Sequence, residues 1–194
     1  MKKYFLFLLM VAGTLCLHAQ QRTTTQRPTT QAGAAKTFVL QNGKLGPIQA
    51  GQRFANIPAT YAGLYDKYTR KTETMADEDG EWTVEYYQFT KAGKNVFRAD
   101  IGENKEITGI TLQAGSASIV KTQDGYYVGY PARTLFTQKR MQWECWYQGT
   151  SFATSGHYTY HVNTDDLTNE VPTNVNHFKP TAKITSIVYS AEVY

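Results

Sequence analysis

The sequence predicts an α+β fold: an antiparallel sheet of about seven or eight strands, with short helices on one face. Three observations lead there. From Tyr68 onward, runs rich in Thr, Val, Tyr and Ile alternate with Gly- and Asn-containing turns. Two short stretches, Gln52–Ile57 and Pro131–Phe136, carry helical rather than strand spacing. The same order of elements also occurs twice along the chain.

The chain opens with "MKKYFLFLLMVAGTLCLHAQ", where Lys2 and Lys3 precede an apolar run of 14 residues, Tyr4 to Leu17. A membrane-spanning helix needs about 20 such residues, so residues 1–19 read as a secretory signal peptide cleaved after Ala19. Cys16 raises lipid anchoring as a second possibility, but Leu15 replaces the small residue that acylation requires before the cysteine. No later segment is apolar enough to span a membrane as a helix. The expected destination is therefore the periplasm, the cell surface or the medium. Residues 20–36 are polar, rich in Thr and Gln and without hydrophobic periodicity, as a disordered leader would be. Residues 37–194 are expected to form a single domain.

Without Lys2 and Lys3, 18 basic residues face 16 acidic ones, a net charge of +2. That balance gives no concentrated basic face for nucleic acid. Cys145 is then the one cysteine outside the signal segment, so no internal disulfide can form. Stability must come from a hydrophobic core, for which 14 tyrosines, nine phenylalanines and three tryptophans supply bulk.

Taken in order, "GPIQAGQRFANIP" places Phe54 and Ile57 three apart on one helical face. Pro58 disfavours helical geometry at Ile57 and ends that turn. "YTRKTETM" reads as a strand and "ADEDGE" as an acidic turn, with Asp79-Gly80 suited to positive φ. "WTVEYYQF" follows, with Trp82, Val84 and Tyr86 on one face. The turns "KAGKN" and "GENK" bracket the strand "VFRADI", and "EITGITLQA" closes a meander. In the second half Pro131 suits a first helical turn, and Leu135 and Phe136 can face the core. "MQWECWYQ", "HYTYHVN" and "KITSIVYSAEVY" read as strands, and Thr164–Pro180 as an extended loop.

Two landmarks tie the halves together. Ile48–Gly51 and Tyr126–Gly129 lie 78 residues apart, and Ile107–Ile110 and Ile184–Ile187 lie 77 apart. A near-constant offset points to internal duplication, with one repeat at about 45–115 and the other at about 120–194. In the closing strands, Ile110, Leu112 and Ala114 alternate on one side, as do Ile187, Tyr189, Ala191 and Val193.

The stretches "GPIQAGQRFANIP", "GLYDKY" and "ITGITLQAGSASIVKTQDGYYVGYPARTLF", with the leader ending "HAQ", resemble a group of small exported proteins of unknown function from Bacteroidetes-type bacteria. The layout is also similar to the β-lactamase-inhibitor-protein-like fold and to small outer-membrane assembly lipoproteins. The resemblance implies short helices packed on an antiparallel sheet, in tandem. This chain lacks the disulfides of the inhibitor proteins, and none of their contact residues carries over, so β-lactamase inhibition is not implied.

No residue pattern assembles a catalytic centre. Cys145 shares a strand face with Trp143 and Tyr147, which suggests a buried thiol acting as a small hydrophobe. His157 and His161, on one face of a strand, would stand about 13 Å apart at ~3.3 Å per residue, too far for one metal ion. "DEDGE" lacks the downstream bidentate acid of a calcium loop, and no G-x-S-x-G elbow occurs. No cofactor and no metal are expected. Adjacent aromatics such as Tyr86-Tyr87 must point to opposite faces, so aromatic groups are expected on the second sheet face as well. That face, carrying Trp146, His157, His161 and Glu144, is the candidate recognition surface for a protein or glycan partner. The function expected is that of an exported, non-catalytic binding module. A cysteine- or histidine-dependent enzyme and a carbohydrate-binding module are the alternatives.

Overall fold

The computed structural model describes residues 36–77, 80–146 and 149–192, with backbone only at 77 and 146. The signal-peptide, Cys16 and leader expectations up to residue 35 lie outside these residues, as do those on Asp79, Tyr147 and Val193. So does the orientation of the Trp146 side chain.

The elements run in chain order as β1 (Phe38–Leu40), β2 (Lys44–Leu45), β3 (Ile48–Gln49), a 3-10 turn at Phe54–Asn56, β4 (Lys67–Asp77), β5 (Gly80–Lys91), β6 (Lys94–Ile101) and β7 (Ile107–Leu112). They continue as a 3-10 turn at Ala114–Ser116, β8 (Val120–Thr122), α1 (Ala132–Gln138), β9 (Trp143–Trp146), β10 (Thr150–Ser155) and β11 (Tyr158–Asn163). Two 3-10 turns, Thr164–Asp166 and Val175–His177, precede β12 (Ile184–Ser190).

Eight strands form one antiparallel sheet in the order β4-β5-β6-β7-β12-β11-β10-β9. Each half is a four-stranded meander, and the two closing strands, β7 and β12, pair at the centre. The β5–β6 turn is tight because Ala92 and Gly93 both take positive φ, 48° and 75°, in the left-handed region that two-residue hairpin turns need.

Period-2 alternation separates the two faces. Phe89, Phe97, Leu112, Ile187, Tyr160, Ala153 and Trp143 are cross-strand neighbours from β5 to β9, and all are buried. This row is the spine of the core. Over it lie the β1–β8 pair, the β2–β3 hairpin, the first 3-10 turn and α1. Phe54 stacks on Tyr87 at 3.4 Å between ring centroids, Tyr126 meets Tyr160 edge-on, and Phe178 packs on both Trp143 and Phe136. The Tyr158 hydroxyl donates to the Leu40 carbonyl at 2.9 Å and pins β1 to the sheet.

Several expectations need correction. The first helix is a three-residue 3-10 turn, though Phe54 and Ile57 are both buried as their spacing required. Ala114 lies in a 3-10 turn and Ala191 beyond the end of β12, and both are exposed, so neither extends the apolar side of its strand. The strand β10 and the small pairs β1–β8 and β2–β3 were not expected. Thr164–Pro180 is a loop between β11 and β12, with two 3-10 turns capped by Asn163 and Asn174, and it buries its own Leu167 and Phe178.

Candidate functional site

One sheet face is covered; the other is lined by polar, charged and aromatic side chains. Its central row, one residue along from the core spine, reads Gln88, Arg98, Thr111, Val188, Thr159 and Thr154 across β5, β6, β7, β12, β11 and β10. A flanking row runs Tyr86, Asp100, Gly109, Ser190, and the opposite one Ser186, His161, Phe152, Glu144. Most of these positions, though not Gln88, Tyr86 or Gly109, line an open concavity of about 980 Å³.

Local irregularity aims two of the side chains. The ladder slips between Asp100 and Ile101 and again between His161 and Val162. Such bulges bend a strand and redirect the neighbouring side chain. Gly109 completes the arrangement: a Cβ there would lie 3.1 Å from Asp100 Oδ2 and 3.2 Å from the Tyr189 carbonyl oxygen. Glycine leaves the carboxylate room to lean over this strand, where a Cβ would crowd it.

Arg98 is held from three sides. Its Nε lies 3.1 Å from Asp100 Oδ1, its Nη1 lies 3.4 Å from Glu73 Oε2, and its guanidinium sits 5.0 Å from the Tyr86 ring centre. The Nε–Oδ1 contact is an ion pair without the directional geometry of a hydrogen bond. Burial pushes the Asp100 carboxyl above its ordinary range; Arg98 pulls it back down and Glu73 pushes it further up. Gln88 is buried and satisfied, its Nε2 donating to the Phe97 carbonyl at 2.9 Å and to Gln113 Oε1 at 2.7 Å. The Thr111 hydroxyl is buried without a hydrogen-bond partner among the described residues.

The expected site residues fall as follows. His161 lines the concavity half-buried, its ring 6.0 Å from that of Phe152. Desolvation, then Arg98, drives its pKa down to about 4, so it is a neutral imidazole at physiological pH. Glu144 and His157 also line the concavity. His157 sits in the β10–β11 turn rather than in a strand; it stacks on Tyr189, and its Nδ1 lies 2.9 Å from the Ser190 carbonyl oxygen. By alternation the Trp146 backbone position shares the face of Glu144. Arg98, Asp100, Thr111 and Phe152 were missed. The polar residues "RAD" inside a strand flanked by Phe97 and Ile101 were the available signal.

Cys145 corrects the buried-thiol expectation. It is exposed, because β9 is an edge strand. Its Sγ lies 3.7 Å from Glu170 Oε2, and desolvation together with that carboxylate raises its pKa. A nucleophilic thiol needs the opposite shift. Among the described residues, no group of three or more His, Cys, Asp and Glu is placed to hold a metal ion, and no helix is long and apolar enough to cross a membrane.

No protein-family model matches the chain, and no curated protein does. Among solved structures it is similar to the crystal structure of the uncharacterized protein YfeY from Escherichia coli. The identity is 13%, the TM-score 0.50, and the match covers 80% of this chain and 99% of that one. At that identity the likeness establishes a shared fold and carries no residue role.

Proposed function

We propose that the protein is an exported, non-catalytic binding module that recognises its partner through the open face of the sheet. The observation that carries this reading is the asymmetry of the two faces. One is sealed by the helix and hairpin layer, while the other presents a concavity lined by Arg98, Asp100, Phe152 and His161. Binding sites are typically concave, with an apolar component and a few converging polar groups. The raised pKa of Cys145 and the depressed pKa of His161 favour recognition over thiol or imidazole catalysis. We further read the two meanders that meet at β7 and β12 as products of the duplication, in the β-lactamase-inhibitor-like manner, within one domain.

The test is a screen of the folded protein against glycan and peptide arrays, repeated with Thr159→Arg. Thr159 lines the concavity, and a long side chain there obstructs it. A saturable hit lost in Thr159→Arg and kept in Lys121→Glu, an exposed position on β8, supports the reading. A hit unaffected by Thr159→Arg contradicts it. A glycan hit that also disappears in Trp146→Ala selects the carbohydrate-binding alternative.

A further inference from the structure

We propose that the concavity seats a cationic nitrogen, a primary ammonium or guanidinium of a small organic ligand, between the Asp100 carboxylate and the Thr111 hydroxyl. This rests on the open-face reading and names its ligand class.

The charges lining the concavity are unequal: one guanidinium, Arg98, stands among the carboxylates of Asp100 and Glu144. His161 adds no charge at physiological pH. Nor does Arg98 offer its own charge to an anion, because Asp100 and Glu73 approach it at 3.1 and 3.4 Å and Tyr86 covers its face. Two carboxylates on one guanidinium leave net negative charge on that cluster. An incoming cation relieves it, whereas an incoming anion meets repulsion.

A second observation is independent of charge. Thr111 is only 8% exposed, yet its Oγ1 has no hydrogen-bond partner among the described residues, and Thr111 lines the concavity. A buried hydroxyl without a partner is costly in a folded protein and calls for an explanation. Thr111 pairs with Arg98 and Gly109 pairs with Asp100, so hydroxyl and carboxylate stand on diagonal positions of adjacent strands. An N–H donor entering between them satisfies the hydroxyl lone pair and the carboxylate together. Gly109 keeps the approach to Asp100 Oδ2 open where any Cβ would crowd it. Beyond this seat, Val188 and Phe152 offer apolar contact to a ligand's hydrocarbon stem.

The experiment is an NMR amide-shift titration of the folded protein with agmatine, with glutarate and methyl glucoside as anionic and neutral probes. Saturable shifts at residues 98–100, 109–111 and 188 are expected with agmatine alone. Asp100→Asn should weaken agmatine at least tenfold. Thr111→Val, which removes an unpartnered hydroxyl and keeps the side-chain shape, should weaken it several-fold without loss of stability, and it decides the matter if Asp100→Asn does not fold. Larger shifts at these residues with glutarate or the glucoside overturn the cation assignment while leaving the open-face reading intact. No response to agmatine, or one unchanged in both variants, also overturns it. The open-face reading itself falls only if array hits survive Thr159→Arg.

Discussion

His161 should make the stability of this protein depend on pH in a specific window. In the unfolded chain the imidazole takes up its proton near pH 6.5; in the folded one it does so only near pH 4. Between those values the unfolded state binds more protons, so stability rises with pH across the window. The contribution is complete above pH 6.5 and is lost progressively as pH falls toward 4, where the loss amounts to about 3 kcal/mol. Asp100 acts with the opposite sign. Its folded pKa is raised, so its contribution is complete below its unfolded value and is lost as pH rises through the folded one. Subtracting the His161→Gln profile from that of the parent isolates the histidine. The assay is urea unfolding at closely spaced pH values from 4 to 7.5. The difference between the two proteins should change by about 2 kcal/mol between pH 7 and 5, and by about 3 by pH 4. Profiles parallel to within about 0.5 kcal/mol would refute the desolvated placement of the ring beside Phe152 and Arg98.

Gly109→Ala should destabilise by about 1–2 kcal/mol in urea unfolding, since crowding costs ~1–3 against a gain of ~0.4–1 from the stiffer unfolded chain. The cost should shrink in an Asp100→Ala background, which removes one of the two close contacts. Phe97→Ala empties the centre of the buried spine and should cost about 3–5 kcal/mol by the same assay. Cys145 should react with a maleimide in the folded state, with a rate that climbs at higher pH than for an ordinary thiol. Rapid reaction with an acid-shifted profile would instead favour the enzyme alternative.

Much of the fold was legible because alternation and turn chemistry are local properties. Trp82, Val84 and Tyr86 do share a strand face, and the aromatic neighbours divide as expected: Tyr87 under Phe54, Tyr86 under Arg98. β10 was not legible. "TSFATS" is short and polar, and only pairing with β9 and β11 makes it a strand. Cys145 alternates with the core residue Trp143, yet it is exposed on β9, the strand at which the sheet ends. Such endings depend on tertiary packing. For the site, His161 and Glu144 could be placed on the open face by parity alone. Asp100, Arg98 and Thr111 could not, because their grouping depends on the register between β6 and β7 and on a bulge that no single strand encodes.

Site-specific photo-crosslinking in the cells that make the protein tests the central claim most directly. A benzophenone side chain is placed at Thr154 or Ser186 on the open face, or at Lys121 as a control. The open-face positions should yield a common, discrete adduct that excess unmodified protein competes away and Lys121 does not form. Adducts from Lys121 alone, or the same adducts from all three positions, would contradict recognition through the open face of the sheet.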